Sequence, residues 1–119
     1  MAAVAMTDSY VMDPHFAAKE ARAGVNALLA RLKQADPDVH DRLRRASIVA
    51  CVQSVEALSV HGTERNARFR VARDHAGQAA AIIESALTVG LIDVTEAHGA
   101  LSRFHQLCAV LACVMYPRR

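Results

Sequence analysis

The sequence predicts an all-α fold, an antiparallel up-down-up-down four-helix bundle. Three observations predict it. Apolar residues recur at spacings of three and four along most of the chain, the period of a helix with one buried face. Ala, Leu, Arg and Glu are abundant while Gly and Pro number only 5 and 3, so helix formers dominate and breakers are few. The breakers and caps that do occur divide the chain into four long segments joined by short connections, and short connections make consecutive helices antiparallel neighbours.

Residues 1–12 read as a flexible N-terminal arm and residues 13–119 as one domain. Asp13-Pro14 supplies an N-cap followed by a proline at the first helical position. Ala18, Ala21, Val25, Leu28 and Leu32 then form the stripe of the first helix, which is expected to fade near Ala35. Asp36-Pro37 repeats the start signal and opens a second helix expected to run to His61, with Gly62 at its left-handed C-terminal position. Thr63 is the expected cap of the third helix, whose stripe is Phe69, Ala72, Ala76, Ala80, Ile83 and Leu87. Gly90 is expected to end it, with Leu91 and Ile92 folded back over the helix end. Asp93 and Glu96 make a capping box for the fourth helix. Its stripe is Val94, Ala97, Leu101, Phe104, Cys108, Leu111 and Met115, and Pro117 is expected to end it.

The second helix raises the question of partners. Ala46 to Val60 carries a single charge, Glu56, and is apolar nearly all the way round. At about 100° per residue, Ile48, Val52, Val55 and Leu58 fall on one side, and Ala46, Ala50, Ala57 and Val60 on the other. One four-helix core buries one stripe per helix, so surplus apolar surface points to a partner, and a second copy of the same chain is the default. The expected interface is Ala46, Ala50, Ala57 and Val60, with Leu107, Val110 and Val114 from the apolar end of the fourth helix. Glu56, in the middle of this surface, needs a cationic partner if buried. Arg68 stands level with it across the turn, with Arg65 and Arg73 about a turn away, and a structural Glu56–Arg68 ion pair is expected.

Net charge is +2, only mildly basic. The basic residues are nearly all arginine, suited to forked pairing with carboxylate or phosphate. Arg42, Arg44 and Arg45 on the second helix and Arg65, Arg68, Arg70 and Arg73 on the third form a candidate nucleic-acid-binding patch. Repeated around an oligomer, such a patch binds phosphate backbone in a salt-sensitive way. The competing reading is a solvated face paired with Asp38, Asp41, Glu64 and Asp74. No aromatic residues interleave the arginines, so base stacking has no support.

Chemistry of other kinds finds little footing. His98 and His105 share a face of the fourth helix, but two histidines are not a zinc site. A Ser102–His98 pair lacks an acid and an oxyanion hole. No phosphate-binding loop, nucleophile elbow or paired-cysteine motif occurs. No catalytic residue, metal or cofactor is expected. Cys51, Cys108 and Cys113 fit no metal or redox spacing and lie in apolar surroundings, which implies a reducing, cytoplasmic setting. The N-terminal stretch lacks a signal-peptide pattern, Met6 and Met12 offer alternative starts to Met1, and no run reaches the roughly 18 apolar residues of a membrane span.

With Glu56 late in the second helix, the run Phe69, Arg70, Val71, Ala72 and Arg73 in the third, and the turn Val89 to Ile92, the chain from Arg45 to about Val114 resembles the four-helix proteins encoded by intervening sequences in bacterial 23S rRNA genes, and similarly the accessory variability proteins of diversity-generating retroelements. Glu56 falls on the glutamate of that family's Asn-Ile-Ala-Glu-Gly run, and Phe69, Arg70, Val71, Ala72 and Arg73 fall on its Leu-Arg-Ile-Ala-Arg run. Val89 to Ile92 falls on its turn before the last helix. Gln53, Ala57, Asp74-His75 and Gln78 depart from the family's usual Asn, Gly, Gly-Ser and Glu. The resemblance implies a homopentameric ring of bundles and, for some members, binding to RNA or DNA. Two functions of different kinds are thus expected to compete. One is a non-enzymatic oligomeric scaffold for nucleic acid or a protein partner. The other is an enzyme with a site between subunits, whose mark would be a pocket of histidine and carboxylate across the interface.

Overall fold

The computed structural model describes residues 13–116. The arm expected at residues 1–12, and Pro117, expected to end the last helix, lie outside the described residues. Four helices follow in order: α1 (Pro14–Ala35), α2 (Pro37–Glu56), α3 (Gly62–Thr88) and α4 (Val94–Met115). No strand occurs among the described residues. α1 packs on α2 and α4, and α3 packs on the same two helices, so the four enclose one core.

The helix ends follow largely from local chemistry. The Asp13 carboxylate accepts from the Phe16 amide at 2.8 Å, and Pro14 fixes the first turn. Asp36 alone joins α1 to α2. Its amide donates to the Leu32 carbonyl at 2.7 Å, closing α1, and its carboxylate accepts from the amides of Asp38 and Val39, opening α2. At the end of α3, Gly90 takes φ +84°, a backbone conformation that side chains disfavour. Its amide donates to Leu87 and the Leu91 amide to Ala86, the paired bonds of a Schellman ending. Ile92 is then buried and Leu91 packs against the core, as expected. Asp93 and Glu96 exchange both bonds of the capping box, at 2.8 and 2.9 Å.

The α2–α3 connection departs from expectation. The α-helical part of α2 stops at Glu56, a 3₁₀ turn covers Ala57–Ser59, and Val60 and His61 are extended. Gly62, with φ +63°, is the first residue of α3 instead of the last of α2. Thr63 does not cap α3: the N-cap is His61, and no side chain bonds there. The cause is a side chain from within α3. Arg65 reaches back so that Nε donates to the carbonyls of Ala57 (3.0 Å) and Val60 (2.8 Å), and Nη2 to Leu58 (3.1 Å). Gathering these carbonyls on one guanidinium favours a tight 3₁₀ turn, in which Ala57 also accepts from the Val60 amide at 3.3 Å and the carbonyls of Leu58 and Val60 are served by Arg65.

Phe69, Phe104, Leu28, Leu32, Leu43, Ile83, Leu107 and Leu111 are the largest fully buried side chains. Alanines fill much of the rest, which lets helix backbones approach closely. The stripes of α1 and α3 turn inward as expected, except that Leu87 is only partly buried. In α4, Leu101 and Cys108 are partly buried, and Val94 is 67% exposed because it occupies the first helical position, at the edge of the core. Two buried hydroxyls are satisfied: Ser54 donates to the Ala50 carbonyl at 2.7 Å, and Ser47 donates to the Arg44 carbonyl and accepts from Arg22.

Candidate interaction surface

α2 resolves its own ambiguity by side-chain size. Its buried row is Leu43, Ala46, Ser47, Ala50 and Ser54, continued by Ala57 in the following turn. The bulkier row faces out: Val52, Val55 and Leu58 are 43%, 41% and 40% exposed, with Ile48 and Val49 half-buried. Small residues allow close approach to α1 and α3, and this outweighs the greater apolar area of the valines. The expected interface is therefore corrected. Ala46, Ala50, Ala57, Leu107 and Val110 are buried within the chain's own core and cannot face a neighbour. Of that set only Val60, half-buried, and Val114, exposed, reach the surface. Val71, on α3, adds a further exposed apolar side chain.

Beside the connecting turn, Arg68 donates from Nη1 to the Glu56 carboxylate at 3.0 Å and to the Gln53 side-chain oxygen at 3.4 Å. Its Nη2 lies 3.5 Å from the Glu64 carboxylate, and its Nε is buried without a partner among the described residues. The expected Glu56–Arg68 ion pair is present, and the Glu56 side chain is 53% exposed. An exposed pair of this kind contributes about 0.2–1 kcal/mol.

The seven arginines of the expected patch do not act as one. Arg65 is bound to the turn's carbonyls and Arg68 to carboxylates. Arg42, Arg44, Arg45, Arg70 and Arg73 are exposed, and none forms an ion pair among the described residues. Of the expected acidic partners, Glu64 pairs with Arg68, while Asp41 lies 2.9 Å from His40. The Cys108 thiol, on α4, approaches the Arg73 carbonyl, which sets that stretch of α3 towards α4. Arg42 and Arg45 lie instead in a groove between α2 and α3, about 460 Å³ in volume, shared with Ala46, His75, Gln78, Ala81, Ile82 and Ser85. Arg44 lines an adjoining hollow with Asp41, Arg45, Ile48 and Val49. The sequence marks His75 and Gln78 only as departures from the family pattern and does not single out Ser85. Their spacing of three and seven along α3 puts them on one face, and that was the available signal.

The thiols are poor nucleophiles where they are buried. Desolvation pushes the Cys51 thiol up to about 11 against a weaker opposing pull from Arg22, and it donates to the Ala18 carbonyl at 3.3 Å. Burial also raises Cys108, with Arg73 acting in the opposite sense. Cys113 is exposed, and all three cysteines are free. His98, Ser102 and His105 are exposed on α4. Among the described residues no group of three metal-ligating side chains comes together, and no helix is long and apolar enough to cross a membrane. Neither a protein-family model, nor a curated protein, nor a solved structure matches the chain.

Proposed function

We propose that the protein is a non-enzymatic, cytoplasmic, homo-oligomeric scaffold that holds the phosphate backbone of RNA or DNA with little sequence preference. Its helices form an antiparallel up-down-up-down bundle. The arrangement is supported by Arg68 meeting Glu56 beside the connecting turn while Ser85, late in α3, shares a groove with Arg42, early in α2.

The observation that carries the functional reading is the outward face of α2. Its first half presents Arg42, Arg44 and Arg45, and its second half presents Ile48, Val52, Val55 and Leu58 with no charge between Arg45 and Glu56. The apolar half serves contact with a second copy. The exposed end of α4, with Val114 and Tyr116, is the complementary surface on that copy. A contact between two different surfaces closes into a ring when the rotation between copies divides a full turn, and the resemblance to the 23S rRNA intervening-sequence proteins implies five members. The basic half is then repeated once per subunit, and weak phosphate contacts add across the ring.

The test is mass in solution by light scattering, followed by binding to a mixed-sequence oligonucleotide as salt is raised. The expected result is an oligomer that Val52→Glu with Val55→Glu reduces to a folded monomer, and nucleic-acid binding that weakens steeply with salt. A concentration-independent monomer contradicts the scaffold. An oligomer that binds no oligonucleotide at low salt leaves a protein-binding adaptor as the reading of the same apolar strip.

A further inference from the structure

The groove between α2 and α3 brings basic and neutral polar side chains together. Two guanidinium groups, Arg42 and Arg45, enter it from α2, and an imidazole, an amide and a hydroxyl, from His75, Gln78 and Ser85, enter from α3. No carboxylate lines it. Asp41, a close acidic neighbour in sequence, lines the adjoining hollow instead and lies 2.9 Å from the His40 ring. Neither Arg42 nor Arg45 forms an ion pair among the described residues, in contrast to Arg31, Arg68 and Arg103, each of which has a carboxylate within 4.0 Å.

The imidazole is oriented. His75 Nδ1 lies 3.0 Å from the Val71 carbonyl, which can only accept, so the proton sits on Nδ1 and Nε2 is the ring's remaining nitrogen. The floor is apolar, formed by Ala46 and Ile82, both buried. Guanidinium forks from one wall and neutral donors from the other, over an apolar floor, are elements that recognise a tetrahedral oxyanion. At about 460 Å³ the groove exceeds a lone ion and falls in the ~300–1,000 Å³ range of small-molecule sites. It has room for a phosphoryl group together with what it is attached to.

We propose that this groove is a phosphoryl-binding site: Arg42 and Arg45 fork onto the phosphate oxygens, Gln78 and Ser85 donate from the opposite wall, and His75 lines the groove beside them. The phosphoryl group can belong to a nucleic-acid backbone or to a free phosphomonoester. The first source rests on the proposed nucleic-acid role, and the second does not.

The test follows the arginine Nε–H and histidine ring resonances of the full chain while three probes are added at low ionic strength. These are inorganic phosphate, adenosine 5′-monophosphate, and a single-stranded RNA oligonucleotide lacking a terminal phosphate. Saturable shifts of Arg42, Arg45 and His75 with inorganic phosphate and with the monophosphate are expected, and equal chloride should not reproduce them. Arg42→Gln with Arg45→Gln should weaken phosphate binding about tenfold or more, since it removes both forks. The exposed Arg70→Gln with Arg73→Gln should change it by less than about twofold, a loss of long-range attraction only. Both pairs are surface replacements, and circular dichroism checks that they stay helical. If the oligonucleotide shifts the same resonances and loses affinity in the first pair, the source is the backbone. If phosphate and the monophosphate bind but the oligonucleotide binds nowhere, the groove stands as a phosphomonoester site and the nucleic-acid role fails. If no probe shifts Arg42, Arg45 and His75 saturably, or if the first pair binds phosphate as tightly as the unchanged chain, the proposal is overturned.

Discussion

The two ends of the α2–α3 pair put the same residue to opposite uses. Beside the connecting turn, Arg65 is held by three backbone carbonyls, and Arg68 by Glu56, Glu64 and Gln53. At the other end, Arg42 and Arg45 share a groove with no carboxylate. Counting arginines makes both ends equally basic. Tracing their partners separates a connector, where the charge is consumed by the fold, from a surface where it remains available. Charge available for a ligand is what is left after the fold's own acceptors have been served.

Substitutions at the two ends should separate accordingly, and the largest effect is expected at Arg65. Arg65→Ala removes the guanidinium from three carbonyls, leaving Ala57 only the Val60 amide, and loosens the 3₁₀ turn. A net contribution of ~1.5–3 kcal/mol is typical for hydrogen bonding by a charged group, so denaturant unfolding should show a loss of about 2–3 kcal/mol. Arg65→Lys should recover only part of it, because one ammonium cannot reproduce the planar fork. A loss equal to that of any surface arginine would mean that the turn is held by other contacts.

A smaller effect is expected at Glu56. The carboxylate is more than half exposed, and Arg68 keeps Glu64 and Gln53 when it is removed. Glu56→Ala should therefore cost less than about 1 kcal/mol, and less still in high salt. A double-mutant cycle with Arg68→Ala isolates the pair. A coupling well above that range would show that the pair is shielded from water in solution, for instance beneath a second copy.

The smallest effect on stability belongs to the groove. Arg42→Gln with Arg45→Gln removes no ion pair among the described residues, and the change in unfolding free energy should lie within about ±0.5 kcal/mol. A clear gain in stability would sharpen the contrast further. It would mean that the two guanidinium groups repel each other in the absence of a ligand, the usual cost of a prepared anion site. A loss approaching that of Arg65→Ala would erase the distinction between the two ends.

What could be read from the sequence follows the range of the interactions involved. Asp13-Pro14, Asp36-Pro37, Gly90 and the Asp93–Glu96 box act within one turn of where they stand, and each helix end they govern lies where the sequence puts it. The end of α2 differs from the expected one because it involves Arg65, a residue of the following helix reaching back across the connection. Pattern alone was also insufficient for α2's facing. Both of its sides are apolar, and hydrophobicity does not choose between an Ala/Ser row and a Val/Leu row. Packing chose the small row for the core. The expected interface residues of that row, Ala46, Ala50 and Ala57, therefore lie in the core, and the surplus apolar surface falls on Val52, Val55 and Leu58. The groove was half legible: Arg42 and Arg45 stood out by charge, whereas His75, Gln78 and Ser85 join them only when α3 is laid against α2.

The division of the arginines can be measured without any ligand. Hydrogen exchange at each arginine Nε–H, followed by nitrogen-edited proton resonance on the full chain, reports whether that group is held by an acceptor or open to water. The expected result is slowed exchange at Arg65, whose Nε donates to Ala57 and Val60, against unhindered exchange at Arg42 and Arg45. Equal protection at Arg42, Arg45 and Arg65, or free exchange at Arg65, would contradict the account.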